Sequence, residues 1–266
     1  MRISNSELKY IRSLSQKKTR LAEKKFVLEG WRSLKEVLNS SAKVDLVAVL
    51  PRFLEDPDYE NILVKLKERK VPIKELNEAD LNRVADTVHA QGVVAIVQQK
   101  TYSLDDDALR RASLVVAAES VNDPGNLGSI VRSADWFAAD FVLFGQGCVE
   151  LYNEKVVRST VGSILHVPVV EGADLPTTLT RLKRDGFSVI AFSGDGKESY
   201  TDRRQADRQV LVFGNEAHGI SREVRDVSDA VVRIPRYGKA ESLNVGVACG
   251  IVLAHVRESQ RRKKGD

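Results

Sequence analysis

The stretch Val210–Val256, VLVFGNEAHGISREVRDVSDAVVRIPRYGKAESLNVGVACGIVLAHV, decides how this chain folds. It opens on an apolar run, Val210 to Phe213, that breaks at Gly214-Asn215-Glu216. A short polar helical pattern, Ser221 to Val227, leads to a second apolar run, Ala230 to Ile234, stopped by Pro235. The polar loop Arg236 to Glu241 then enters a helix of small apolar residues, Leu243 to Val256. Short runs of this kind read as strands buried on both faces, and here each ends in a polar, glycine-bearing turn. Two such turns gather backbone N–H groups and side chains at the carboxyl edge of a parallel sheet, where open α/β sheets bind ligands.

Working outward, the same alternation starts near Ser113. Apolar runs at Leu114–Ala118, Phe141–Phe144, His166–Val170 and Phe187–Phe192 are separated by helical patterns at Asn126–Ala138 and Leu175–Asp185. The expectation is an α/β fold with a mostly parallel sheet and helices on both faces. Residues 1–100 carry shorter elements and read as a smaller α/β domain. Its segment Val71–Leu76 is an edge strand, because Pro72 cannot donate to a ladder. A polar stretch at 101–109 reads as a linker to a second domain at 110–266, and a chain of 266 residues has room for both.

With 42% hydrophobic and 29% charged residues the chain is globular rather than disordered. No apolar run approaches the roughly 20 residues of a membrane span, and Met1–Asn5 lacks the apolar core of a secretory leader. Cys148 and Cys249 read as reduced core residues of a cytoplasmic protein. Net charge is +4 and the pI near 9.0, which alone decides little. The placement says more: Lys17, Lys18, Arg20, Lys24 and Lys25 crowd the start, and Arg257, Arg261, Arg262, Lys263 and Lys264 the end. Such clusters are either solvated helix faces or phosphate contacts that release counterions from a nucleic acid.

Polar residues gather in three places. Val121–Arg132, VNDPGNLGSIVR, follows a strand and opens a helix, with Asn126 near its start and Arg132 six residues on. It is neither a dinucleotide fingerprint nor a P-loop, since the third glycine and the lysine-serine/threonine pair are missing. Phe213–Gly219, FGNEAHG, sets Glu216 between glycines that permit close ligand approach. His218 has no second ligand at metal spacing, so no metal is expected. In the third, Ser242-Leu243-Asn244, Ser242 reads as the N-cap and Asn244 as a buried amide in need of partners.

The strings NDPGNLGSIVRSAD, VFGNEAHGIS and IPRYGKAESLNVGVACGI, in this order, resemble the TrmH/SpoU family of RNA ribose 2′-O-methyltransferases within the SPOUT fold. The resemblance covers roughly residues 110–258; KKTRLAEKKFVLEG, near the start, is similar to that family's ribosomal-protein-like RNA-binding domain. It implies a trefoil knot, an exception to the rule against threaded loops. It also implies S-adenosylmethionine as cofactor, a homodimer sharing its site across the interface, and structured RNA as substrate; the separate N-terminal domain and its basic leader favour ribosomal over transfer RNA. By motif position Gly214, Asn215, Ile234 and Leu243 would contact the cofactor, with Ser193 and Gly194 as further contacts. Asn126, Arg132, Glu216, Ser242 and Asn244 fall on the family's polar catalytic positions, and Arg132 is implicated as base or as phosphate anchor. A neutral guanidinium is costly because arginine's pKa exceeds about 12, which favours the anchor. A transfer-RNA enzyme of the same family, a resistance-type enzyme, and a non-catalytic ribosome-assembly factor with the same fold remain alternatives.

Overall fold

A computed structural model describes residues 1–85, 91–215 and 218–264, so Glu216 lies outside the described residues. The chain divides into two compact units: residues 1–100 with 152–166, and residues 101–151 with 167–266.

The first unit runs α1 (Asn5–Ser13), α2 (Lys17–Glu23), β1 (Lys25–Glu29), α3 (Trp31–Leu38), β2 (Val44–Val49), α4 (Pro57–Glu68), β3 (Ile73–Glu75), α5 (Glu78–Val84) and β4 (Val93–Gln98). Its sheet has the order β1-β4-β2-β3. Both β1 and β2 pair antiparallel with β4, while β3 pairs parallel with β2 at the edge. Alternate residues of the central strands, Leu46, Ala48, Val94 and Ile96, meet Leu8, Ile11 and Leu14 of the first helical segment in one core. Ser4 and Glu7 close a reciprocal capping box at the start of α1, satisfying backbone donors the helix leaves free.

The second unit begins with α6 (Asp107–Arg111), β5 (Leu114–Ala118), α7 (Pro124–Trp136) and β6 (Phe141–Gly145). The chain then contributes α8 (Glu154–Thr160) to the first unit. It returns with β7 (Val169–Ala173), α9 (Leu175–Arg184), β8 (Ser188–Phe192), β9 (Glu198–Ser199), β10 (Gln209–Phe213), α10 (Arg222–Val227), β11 (Ala230–Arg233) and α11 (Val245–Lys264). Every strand pairing in this sheet is parallel, and its order is β7-β6-β5-β10-β8-β11-β9. All five residues of β5, β6 and β10 are buried, as strands covered on both faces must be. On one face Val115, Ala117, Val210 and Val212 pack with Leu179 and Leu182 of α9 and Val224 of α10. The alternate residues point the other way, where α7 and α11 pack together.

The stretch 101–109 is not a free linker. Leu109 is buried in the second core, and Tyr102, Leu104 and Ala108 pack against it. The strand expected at His166–Val170 begins instead at Val169, because Ser163–Leu165 form a 3-10 turn. No helix among the described residues is long and apolar enough to cross a membrane.

Candidate active site

Strands β6 and β7 lie to one side of β5, and β10, β8 and β11 to the other, so the order reverses between β5 and β10. Chain segments leaving two such strands diverge and open a crevice at the carboxyl edge. The two exits are stitched together here. Glu119 N donates to Phe213 O at 2.8 Å, Asn215 Nδ2 to Ser120 O at 2.8 Å, and Ser221 N to Glu119 Oε2 at 2.9 Å. The loop after β10 closes on itself through paired bonds, Asn215 N to Gly219 O at 3.1 Å and Gly219 N to Asn215 O at 2.8 Å. Gly214 stands at its neck, where a Cβ would come within 2.2 Å of Gly219 O. Only glycine fits there. The Asn215 amide is committed on both sides, since its Oδ1 also accepts from His218 N, so its side chain shapes the loop.

Helix α7 starts from β5 through an Asp-Pro pair. Asp123 Oδ1 accepts from Asn126 N at 2.8 Å as the N-cap, and Pro124 occupies the first turn, where its missing N–H costs nothing. Asn126 is therefore in the first turn rather than at the cap. Its Oδ1 accepts from Asn244 Nδ2 at 2.5 Å. Asn244 Oδ1 in turn accepts from Val247 N at 3.2 Å, so Asn244, not Ser242, caps α11. Asn244 is also exposed, against the expectation of a buried amide. Close approach of the two helices depends on Gly246, where a Cβ would lie 2.8 Å from Ser129 Cβ.

Ser242 and Leu243 lie in the segment 236–244, which is exposed throughout; Ile234, just before it, is half-buried. Among the described residues no backbone N–H from 234 to 244 reaches a backbone carbonyl. These donors, beside the bonded Asn126–Asn244 pair, are the polar equipment a ligand with a carboxylate, ribose or adenine edge requires. After β8, Ser193 N donates to Val232 O at 3.0 Å, and a Cβ on Gly194 would meet nothing within 4 Å. That turn presents an open edge, so the residues present fit a cofactor of the S-adenosylmethionine class.

Arg132 is exposed, on the same α7 face as Trp136 four residues on, and makes no hydrogen bond or ion pair among the described residues. Six residues of helix set it about 9 Å along the axis from Asn126 and roughly 240° around it. The structure does not bring Arg132 onto the Asn126–Asn244 pair.

Of the cations at the start of the chain, Lys17, Lys18 and Lys24 are exposed. Arg20 is 3% exposed, and its Nη1 donates to Leu14 O at 2.9 Å and Ser15 O at 2.6 Å. It closes the end of α1 and is not presented to a phosphate. Lys25 is engaged as well, with Nζ 2.6 Å from Asp45 Oδ2, and that bond raises its pKa. In α11, Arg257 Nε donates to Phe137 O at 2.5 Å and Nη2 to Ala138 O, capping α7. Arg261 and Arg262 both pair with Glu258 at 3.1 Å. The side chains of Lys263 and Lys264 lie outside the described residues. No group of three or more His, Cys, Asp or Glu able to hold a metal occurs among the described residues. The cysteines are structural: burial pushes the Cys148 thiol up to about 11 and raises that of Cys249 further.

Sequence reading missed Asp123, Glu119 and Ser120. The Asp-Pro-Gly signature before an apolar helix could have marked Asp123 as a cap. Nothing local marks the other two, whose roles arise from strand order.

Residues 113–254 match the SpoU rRNA Methylase family, and residues 5–95 the MRM3-like substrate binding domain. A Bacillus subtilis (strain 168) protein named 23S rRNA (guanosine(2553)-2'-O)-methyltransferase RlmP is 30% identical over 95% of this chain and 96% of its own. A putative TrmH family tRNA/rRNA methyltransferase of Staphylococcus haemolyticus is 29% identical over 90% of this chain and 98% of its own. The AdoMet-bound rRNA methyltransferase of Sinorhizobium meliloti superposes with a TM-score of 0.82 at 29% identity, covering 96% of this chain and 95% of that one. With the family matched across the parallel sheet and a relative aligned nearly end to end, the chain belongs to the SpoU rRNA methylase family.

Proposed function

We propose that the protein is a cytoplasmic, S-adenosylmethionine-dependent RNA 2′-O-ribose methyltransferase acting on ribosomal RNA. The observation that carries this reading is the Asn126–Asn244 bond beside the open backbone donors of 234–244, in a chain similar end to end to the Bacillus ribosomal-RNA enzyme. When bound, the cofactor supplies a methyl group already activated by its sulfonium. The chain must hold the ribose, keep the 2′-oxygen in line, and accommodate its proton. Gly194, Gly214, Ile234 and Leu243 form the cofactor cradle, while Asn126 and Asn244 orient the ribose side. Arg132 grips the neighbouring phosphate and stabilises the developing alkoxide as a fixed cation. Glu216 and Ser242 complete the polar set.

A homodimer joined through α7 and α11 belongs to the same reading. Leu243, Val247 and Ile251 recur every four residues and are 50%, 52% and 36% exposed, and Trp136 is 83% exposed. An apolar stripe anchored by a tryptophan is what a self-complementary interface buries. Because Arg132 shares a face with Trp136, a partner docked there receives Arg132 at its own crevice. The tail beyond β11 threads as a trefoil in this reading, and the first unit binds RNA through Lys17, Lys18 and Lys24.

Ribose-methylation mapping of total RNA, with and without the gene, tests the function. One 2′-O-methyl missing from ribosomal RNA is the expected result. An unchanged map refutes it, and a loss confined to transfer RNA reassigns the substrate. Arg132→Ala should lower turnover more than RNA affinity.

A further inference from the structure

Arg225 belongs to none of the motifs singled out in the sequence, yet near the carboxyl edge its guanidinium makes four hydrogen bonds. Nε donates to Ile220 O at 3.1 Å, Nη1 to Asp195 Oδ2 at 3.2 Å, and Nη2 to Asp195 Oδ1 at 3.0 Å and Ser193 Oγ at 2.7 Å. Ser193 Oγ donates its own proton to Asp195 Oδ1 at 2.5 Å. One planar cation thus ties the turn after β8 to the chain entering α10. Bonding to Arg225 holds the Asp195 carboxyl below the usual carboxylate range.

The rest of the turn is held from β11, where Arg233 Nη1 donates to Gly196 O at 2.6 Å. Ser193 N is held by Val232 O, and Gly196 N donates to Ser193 O at 3.1 Å. Gly196 lies flat on β11, where a Cβ would come within 2.4 Å of Val232 C. Between them, Gly194 faces open space. The Ser193 hydroxyl both donates and accepts inside the cluster, so the turn offers a ligand backbone and the bare Gly194 Cα rather than a side chain.

We propose that Arg225 is a positioning residue for the cofactor, acting through Ser193 and Asp195 to hold the 193–196 turn in the shape that S-adenosylmethionine meets. This rests on the placement of the cofactor against Ser193 and Gly194. A turn ordered before binding spares the ligand the cost of ordering it. The planar fork matters, because a lysine ammonium cannot serve all three acceptors from one place. The pair is partly exposed, the side chains being 30% and 68% accessible, so its contribution to global stability is small. Cofactor affinity and melting temperature should therefore separate.

The test is calorimetric titration of S-adenosylmethionine into the full chain, with melting curves and steady-state kinetics, for Arg225→Ala, Arg225→Lys, Asp195→Ala and Gly194→Val. Arg225→Ala should weaken cofactor binding roughly tenfold, by loss of preorganisation, and raise the cofactor KM alike, with kcat at saturating cofactor retained. Arg225→Lys should fall between it and the wild type, and Asp195→Ala should shift affinity in the same direction. Unchanged affinity in Arg225→Ala, or a fall in kcat at constant KM, overturns the proposal. Should Arg225→Ala not fold, unchanged affinity in Asp195→Ala overturns it equally. Wild-type binding by Gly194→Val removes the cofactor placement and this proposal together. Lost binding in Gly194→Val, with affinity intact in both Arg225→Ala and Asp195→Ala, removes this proposal alone.

Discussion

Asn244 Nδ2 donates to Asn126 Oδ1 at 2.5 Å, joining the first turn of α7 to the cap of α11 across 118 positions of sequence. Each asparagine has two tasks there, one in the helix start and one toward its partner. The two tasks can be separated by chemistry.

Asn244→Asp keeps an oxygen for Val247 N but has no donor for Asn126. Melting temperature should hold while methyl transfer falls. Asn244→Ala loses the cap as well and should cost about 1 kcal/mol of stability besides. Thermal melts and single-turnover assays on both variants decide the matter, and equal activity in Asn244→Asp and wild type would refute it.

The exposed stripe of α11 with Trp136 predicts the state of the protein in solution. Sedimentation should show a dimer for the wild type and a monomer for Val247→Asp/Ile251→Asp, with the helical circular dichroism retained. A wild type that sediments as a monomer at micromolar concentration removes both the interface and the shared site.

Burial separates the cations at the start of the chain. Arg20→Ala leaves the carbonyls of Leu14 and Ser15 without their donor and should lower the melting temperature of the first unit. Lys17→Ala/Lys18→Ala should leave melting unchanged while weakening RNA binding and flattening its dependence on salt, because fewer counterions are released. Filter binding at two salt concentrations distinguishes the variants, and an unaltered salt slope in the lysine pair would count against a phosphate role.

Acid should loosen the first unit through Glu7. Its carboxyl is pulled from 4.5 down to about 2, first by the hydrogen bond from Lys74 Nζ at 2.5 Å and then by the Ser4 cap. A carboxyl lowered on folding stabilises the fold above its unfolded pKa, and that stabilisation drains away as pH falls from 4.5 towards about 2. The stability gap between wild type and Glu7→Gln should close across that window. A gap constant with pH would show that the ion pair is not its source.

The strands of the second unit were readable because burial on both faces leaves only apolar residues, as in Leu114–Ala118 and Val210–Phe213. Helices α2, α6 and α8 escaped notice because five to seven largely polar residues carry no complete apolar period. Tyr102, Leu104 and Leu109 looked like linker because three consecutive aspartates hid their spacing. Ser242 and Asn244 are equally good caps by type, and only the bond to Val247 N chooses between them. Arg20 is indistinguishable in sequence from Lys17 and Lys18. Arg225 was invisible for a different reason, since its partners become neighbours only when β8 and β10 lie side by side.

The place of β10 between β5 and β8 also governs how the chain is made. A nascent polypeptide that has emerged only as far as residue 208 carries both flanking strands but not the one that separates them. Until residues 209–213 clear the ribosome, β5 and β8 each present an unsatisfied ladder able to recruit a wrong partner. Premature termination within that interval should therefore yield aggregates, whereas a chain that includes β10 and β11 pairs its central strands on both sides.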